Sequence, residues 1–246
     1  MKFLTSPLLT ALGVSHGFTG SVGGVSEGDC ATLNLGLGRG DLPSNIAENR
    51  RRVLDALERP KARWLSSRQV HGTEVLCVDR DAPLEMAADG LVTRDPNVVL
   101  ATLAADCVPL LFSSGDGKMV AAVHAGWKGT VGGVVVSAVA HFVNAGIDPD
   151  TLYVAIGPRI GVCCFEVGHD VATCIADACG SLAVQARSPK PHADLAQANR
   201  TLLVRAGVQD AHIWQSEACT VCCPGYFSHR ALGERTGRQA GVIACR

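Results

Sequence analysis

Three residues able to do metal or thiol chemistry stand at the ends of strand-like apolar runs: His71 in QVHG, Cys107 in ADCVP and His124 in AVHAGW. One thiolate and two imidazoles suit zinc, and three protein ligands leave the fourth position to water or substrate, as a catalytic zinc site requires. A zinc held there would lower the pKa of its water to about 7 and make a hydroxide nucleophile available at neutral pH. The same residues also support a Cys107 nucleophile with His124 or His71 as its base. A cysteine ahead of an apolar strand is commonly just a small buried residue. The interval from Cys107 to His124 matches no zinc-finger spacing. Residue types and spacing therefore leave metal, thiol and structural readings open.

The neighbours extend the set. Asp106 precedes Cys107 and is read either as a proton-transfer group or partner of the ligands, or as a strand-end cap. After His124 the chain runs AGWKGT into a helix. Gly126, Gly129 and Thr130 are expected to present backbone N–H groups at its N-terminus with Lys128 nearby, a setting that favours an anion such as phosphate. The order is not that of a Walker loop, and the glycines also serve simply to start the helix. Arg230 and Arg238 are weaker candidates for anion contact. Cys219-x-x-Cys222 lacks a second C-x-x-C or H-x-x-x-H in the sequence and is not expected to bind metal or cycle redox states. The 8 histidines include no H-x-H pair, which disfavours multicopper chemistry. The H-x-E with P-C-x-x-C signature of zinc nucleobase deaminases and the G-x-S-x-G elbow are also missing.

These residues must be positioned by alternating strands and helices. NVVLATLA, VPLLF and MVAAVHA read as buried strands, followed by one helix from Gly126 to a stop at Gly146. Ser44 is expected to cap a helix over NIAENRRRVLDALE, and RWLSSRQVHGTEVLCV to form two strands around a turn at Gly72. TLYVAIGP, AHIWQ and GVIAC add strands, while GHDVATCIADACG and HADLAQANRTLLVRAG add helices. The stretch from His16 to Asp41 reads as short strands joined by turns, and Ser188–Asp194 as a loop. Interleaving from end to end predicts an α/β (α+β mixed) fold in a single domain over residues 1–246.

Composition bounds the function. With 246 residues, 47% hydrophobic and 18% charged, the chain can bury a large core, and a net charge of -1 gives no electrostatic ground for a nucleic-acid or membrane partner. The N-terminal apolar stretch is broken by Thr5, Ser6 and Pro7 and lacks a small-x-small cleavage site. An odd count of 11 cysteines with two vicinal pairs argues against a disulfide framework and for reduced thiols in a cytoplasm.

In order along the chain, HGF, GGVSEG, LNLG, NRRRVLDAL, QVHG, ADGLVT, ADCVPLLF, AAVHAGWKGT, AIGPRIGVCCFEVG, YFSHR and TGR resemble the YfiH family. That family is also called peptidoglycan editing factor PgeF or the multicopper polyphenol oxidase (laccase) proteins, and the likeness covers nearly the whole chain. The resemblance implies layered mixed sheets flanked by helices in one domain. It also implies a zinc on His71, Cys107 and His124, with copper disfavoured despite the name. The activities it implies are phosphorolysis of purine nucleosides (adenosine, inosine, methylthioadenosine) and deamination of adenosine. A link in bacteria to excluding wrongly built muropeptide precursors from the wall is implied as well. The family's fold is similar to a toxin domain that uses a Cys–His pair, which supports a thiol hydrolase acting on a muropeptide precursor as the alternative. A non-catalytic, zinc-stabilised binding module is the third reading. Ser21 stands where family members usually carry an arginine in F-S-T-R-x-G-G-V-S, which leaves phosphate or substrate binding here either weaker or dependent on Lys128 or another cation.

Overall fold

A computed structural model describes residues 3–38 and 40–246. Met1 and Lys2 of the N-terminal stretch, and Arg39 of the turn-rich stretch, lie outside the described residues. Seven helices and twelve strands follow one another among the described residues. The strands are β1 (Ser15–Phe18), β2 (Arg63–Leu65), β3 (Val75–Cys77), β4 (Gly90–Thr93), β5 (Val98–Ala104), β6 (Val108–Ser114), β7 (Val120–Ala125), β8 (Leu152–Ile156), β9 (Val184–Gln185), β10 (His192–Ala193), β11 (Ile213–Gln215) and β12 (Gln239–Ala244). The helices are α1 (Pro7–Ala11), α2 (Pro43–Ala56), α3 (Trp127–Gly132), α4 (Val134–Asn144), α5 (His169–Cys179), α6 (Leu195–Arg205) and α7 (His229–Leu232).

The strands form a four-stranded sheet in the order β1-β12-β5-β2 and a six-stranded sheet in the order β11-β8-β6-β7-β4-β3, with β9 and β10 as a separate ribbon. Both large sheets are mixed: β2 runs parallel to β5, β3 to β4 and β11 to β8, and the remaining pairs are antiparallel. Both faces of each sheet are covered, which explains why β5, β6 and β7 read as continuous apolar runs without polar alternation. Along β5, Val99 and Ala101 pack towards α2 with Val53, Leu54 and Leu57, while Val98 and Leu100 point into the layer between the sheets. Along β6, Leu111 enters that same inter-sheet layer, and Leu110 and Phe112 face α4, α5 and α6 on the other side. Four layers result: helix, sheet, sheet, helices.

Local expectations are corrected in several places. Helix α2 starts two residues earlier than a Ser44 cap requires; Leu42 occupies the N-cap without a side-chain bond and Pro43 takes the first turn, where a missing N–H costs nothing. The helix expected from Gly126 to Gly146 is two helices. Gly133, with φ of 86°, closes α3 in the left-handed region and opens α4, a conformation that suits glycine and breaks the α-helical ladder. Strands β2 and β3 do not form a hairpin around Gly72, since they belong to different sheets. Between β1 and α2 the described residues contain no further strand; the 3-10 turn Gly28–Cys30 and side-chain bonds of Asn34, Asp41 and Asn49 organise them. Within Ser188–Asp194, His192 and Ala193 pair with Gln185 and Val184.

Candidate active site

The chain crosses from one sheet to the other between Ala104, the last residue of β5, and Val108, the first of β6. Cys107 lies in that crossing. The register of β6 against β7 pairs Pro109 with His124 and Val108 with Ala125, so Cys107 falls beside His124 at the same end of the six-stranded sheet. Asp89, immediately before β4, continues the ladder on the other side of β7, because the His124 N–H donates to its carbonyl at 2.7 Å. His71 reaches the site from the loop between β2 and β3. Gln69 fixes that loop through its amide, whose Nε2 donates to the Leu103 carbonyl (2.7 Å) and whose oxygen accepts the Leu103 N–H (2.8 Å).

The ligating atoms of His71, Cys107 and His124 all lie within 4.8 Å of one another, so one ion can span them. Their burial is graded: His124 is buried, Cys107 half-buried and His71 exposed. The rings of His71 and His124 meet edge to face at 4.8 Å. His124 Nδ1 donates to Asp89 Oδ1 at 2.9 Å, and its Nε2 is left facing the Cys107 sulfur. A carboxylate behind a histidine fixes the tautomer and raises the basicity of a metal ligand. Asp89 Oδ1 also accepts the His71 N–H (2.9 Å), and Oδ2 accepts those of Val70 (3.2 Å) and Gly72 (2.6 Å). One buried carboxylate therefore orients the His124 imidazole and fixes the backbone that carries His71.

Charge follows from this arrangement. Burial pushes the Asp89 carboxyl up, but the His124 N–H and the backbone donors outweigh it and hold it below the usual range. Burial pushes His124 down, whereas the Cys107 sulfur and Asp89 lift it to about 9. Burial, and then the nearby His124, hold His71 below its ordinary value. Without a metal, His124 at the floor keeps its ring proton to above neutral pH. Ligation exchanges its proton for the ion, so metal affinity falls as pH falls.

Backbone geometry closes around this trio. His71 and Asp106 hold φ of 60° and 90°, and such left-handed non-glycine residues persist where surrounding bonds over-determine them. At Gly126, a Cβ would sit 2.4 Å from His71 Nδ1 and 3.4 Å from Cys107 Sγ, so no other residue fits beside the ligands. The carboxylate of Asp106 accepts from the Thr220 hydroxyl and the Arg230 N–H, both at 2.6 Å, and its carbonyl accepts the Ile160 N–H. The site opens into a cleft of about 710 Å³, within the usual size of small-molecule sites. Lys128, Arg230 and Arg238 bring positive charge to its lining; Trp127 and Phe165 bring flat apolar faces. The Arg230 guanidinium lies 5.5 Å above the Phe165 ring and donates to the carbonyls of Cys164 (3.2 Å) and Glu166 (3.1 Å).

Of the residues singled out in the sequence, His71, Cys107, His124, Asp106 and Lys128 line the cleft together. Gly126 packs against the ligands. Gly129 and Thr130, expected to offer backbone donors to an anion, do not line it. The Thr130 N–H already donates to the Gly126 carbonyl, its hydroxyl accepts from Asn199, and Gly129 packs against the Gly72 carbonyl. Ser21 also stands away from the cleft lining, its N–H donating to the Gly225 carbonyl at 2.7 Å. Asp89 and Gln69 escaped sequence reasoning. Their signals were present in ADGLVT and QVHG, but a polar residue just outside a strand reads as a turn unless its partner is known.

The family described as multi-copper polyphenol oxidoreductase laccase matches residues 15–246. A protein of Deinococcus radiodurans named purine nucleoside phosphorylase is 42% identical over 239 residues, covering 96% of this chain and 92% of its own. Adenosine deaminase RL5, from an unknown prokaryotic organism, is 38% identical over 186 residues, or 70% of this chain and 71% of its own. The crystal structure of YlmD from Geobacillus stearothermophilus superimposes with a TM-score of 0.90 at 36% identity, covering 98% of this chain and 94% of that one.

Proposed function

This chain belongs to the multi-copper polyphenol oxidoreductase laccase family, and from that footing we propose that it is a zinc-dependent purine nucleoside phosphorylase whose reacting atoms meet over His71, Cys107 and His124. The observation that carries the reading is the carboxylate-oriented His–Cys–His trio at the floor of a cleft lined with cations. Relatives named purine nucleoside phosphorylase support it. The donor set fits zinc: two imidazoles and one thiolate, one imidazole backed by a buried carboxylate, and an exposed side left to substrate. Copper oxidase chemistry fits poorly, because the second metal-competent cluster among the described residues holds four cysteines and no histidine.

When bound, zinc supplies a Lewis acid at the cleft floor that stabilises charge developing on the substrate. The chain's own residues do the rest. Lys128, Arg230 and Arg238 draw in phosphate and take over the charge that an arginine at position 21 would bring. A phosphate oxygen bonds to ribose C1′ as the C1′–N9 bond breaks, its electron pair leaving with the purine, which takes up a proton from solvent to give the free base beside ribose 1-phosphate. Trp127 and Phe165 provide stacking faces for the purine. Asp106 holds the Arg230 backbone and acts as a positioning residue, while Asp89 keeps the His124 proton on Nδ1. The reaction belongs in a reducing cytoplasm, in keeping with eleven free cysteines. Adenosine deamination is a second reading, favoured by the likeness to adenosine deaminase RL5. A Cys107 thiol enzyme is a third, favoured by the line Cys107–His124–Asp89, which also suits a nucleophile and its base.

Product analysis of the zinc-loaded protein with adenosine, with and without phosphate, tests the proposal. Adenine and ribose 1-phosphate are expected only when phosphate is present. Inosine formed without phosphate establishes deamination instead, and full turnover by metal-free protein, abolished by alkylating Cys107, establishes the thiol enzyme. If no nucleoside is turned over, muropeptide precursors are the substrates to offer next, in line with an editing role in the wall.

A further inference from the structure

A second group of metal-competent side chains lies outside the His71–Cys107–His124 centre. Cys163, Cys164, Cys219 and Cys222 gather their four sulfurs within 4.8 Å of one another. The Cys222 sulfur lies 3.1 Å from that of Cys164 and 3.6 Å from that of Cys163. Four thiolates around zinc at about 2.3 Å place their sulfurs about 3.8 Å apart, so small movements convert this cluster into a tetrahedron. The C-x-x-C had no second C-x-x-C to complete it; its partner is the vicinal pair on the loop between β8 and α5, brought alongside by a parallel bridge between Arg159 and Cys219.

The surroundings are those of an anionic cluster. The Gly161 N–H donates to the Cys219 sulfur at 3.2 Å, and those of Val221 and Cys222 converge on the same atom. Gly161 itself leaves room for the sulfurs, since a Cβ there would lie 3.1 Å from Cys163 Sγ and 3.5 Å from Cys219 Sγ. Arg159, the bridge partner of Cys219, is only 7% exposed. Its guanidinium meets the Ser216 and Gly157 carbonyls, its Nε has no hydrogen-bond partner, and it has no carboxylate within 4.0 Å. Asp194 and Glu217 act on this cation from beyond ion-pair distance, and the Cys219 sulfur acts on it after them; four thiolates on one divalent ion carry a net charge of about -2.

We propose that Cys163, Cys164, Cys219 and Cys222 hold a second zinc ion in a closed tetrathiolate site that clamps the β8–α5 loop to the segment following β11. All four positions are filled by protein, so the site is structural. It acts on the wall of the cleft. The Cys164 carbonyl accepts from the Arg230 guanidinium, and the Thr220 hydroxyl holds Asp106, whose other oxygen holds the Arg230 backbone. Both halves of the clamp therefore position the same arginine. This last step rests on the proposed phosphorolysis; the metal site does not.

The full chain, expressed with zinc and freed of loosely bound metal, is expected to carry two zinc ions per chain. Cys163→Ser/Cys222→Ser is expected to carry one, as is Cys107→Ala, each losing a different ion. Cobalt loaded into Cys107→Ala is expected to give the intense sulfur-to-metal charge-transfer bands of a tetrathiolate, a reading that does not depend on the double variant folding. A mass lower by two hydrogens per bridge with these cysteines oxidised in metal-loaded protein, or a Cys107→Ala chain with neither zinc nor cobalt bands, would overturn the site. If the clamp forms, its loss is expected to raise the KM for phosphate more than it lowers kcat.

Discussion

His124→Ala is expected to lower kcat/KM for adenosine phosphorolysis by about 10³-fold or more, because it removes the buried ligand of the zinc proposed above. The chain should still fold. His124 contributes a hydrogen bond to Asp89 and part of the floor of the cleft, while the three packed layers on β5, β6 and β7 remain whole. A stability loss of about 1–3 kcal/mol follows from leaving Asp89 without its strongest side-chain partner. Urea unfolding separates that modest loss from the loss of turnover, and the zinc content should drop by one ion per chain. Turnover preserved in a chain that has lost this ion would contradict the role given to His124.

Asp89→Asn probes the same centre without touching a ligand. The amide retains an oxygen that can accept from His124 or from the loop, but it cannot serve as a carboxylate to the imidazole, and its NH2 opposes one of the donors now satisfied by Asp89. Zinc affinity at this centre is expected to fall by about 10–100-fold, the usual consequence of losing the group behind a ligating histidine. The Asp89 carboxylate also helps to lift metal-free His124 to about 9. The variant should therefore release its imidazole proton at lower pH, a shift visible by NMR titration of the metal-free chain. An unchanged His124 titration together with unchanged zinc affinity would show that Asp89 only ties the loop.

Cys107 and His124 stood out because each lies at the end of a strand whose two buried faces give a continuous apolar run; NVVLATLA, VPLLF and MVAAVHA map onto β5, β6 and β7, whereas His71 lies on the loop between β2 and β3, away from any strand end. Their three-dimensional convergence was not legible, since it depends on β5 and β6 belonging to different sheets, which no periodicity records. Asp89 was hidden for a related reason: its partners lie on either side of it in sequence, His124 meeting it along the β4–β7 ladder and His71 from the loop between β2 and β3. Gly129 and Thr130, the expected anion donors, lie outside the cleft lining, where the Thr130 N–H is taken by the Gly126 carbonyl and Gly129 packs on the Gly72 carbonyl. The four-cysteine cluster was missed because zinc spacing rules look for a second spaced pair, whereas here a vicinal pair meets the C-x-x-C through the bridge of Arg159 with Cys219. The resemblance to the YfiH family supplied the layered fold that propensities alone do not.

The most direct test of the central claim is a titration of metal-free protein with zinc at pH 8, in phosphate and adenosine, following adenine release against zinc bound. The expected result is adenine formed in proportion to filling of the His71–Cys107–His124 centre, with none from His71→Ala at equal zinc content. Adenine release at full rate before any zinc is added, or none when that centre is full, would contradict it.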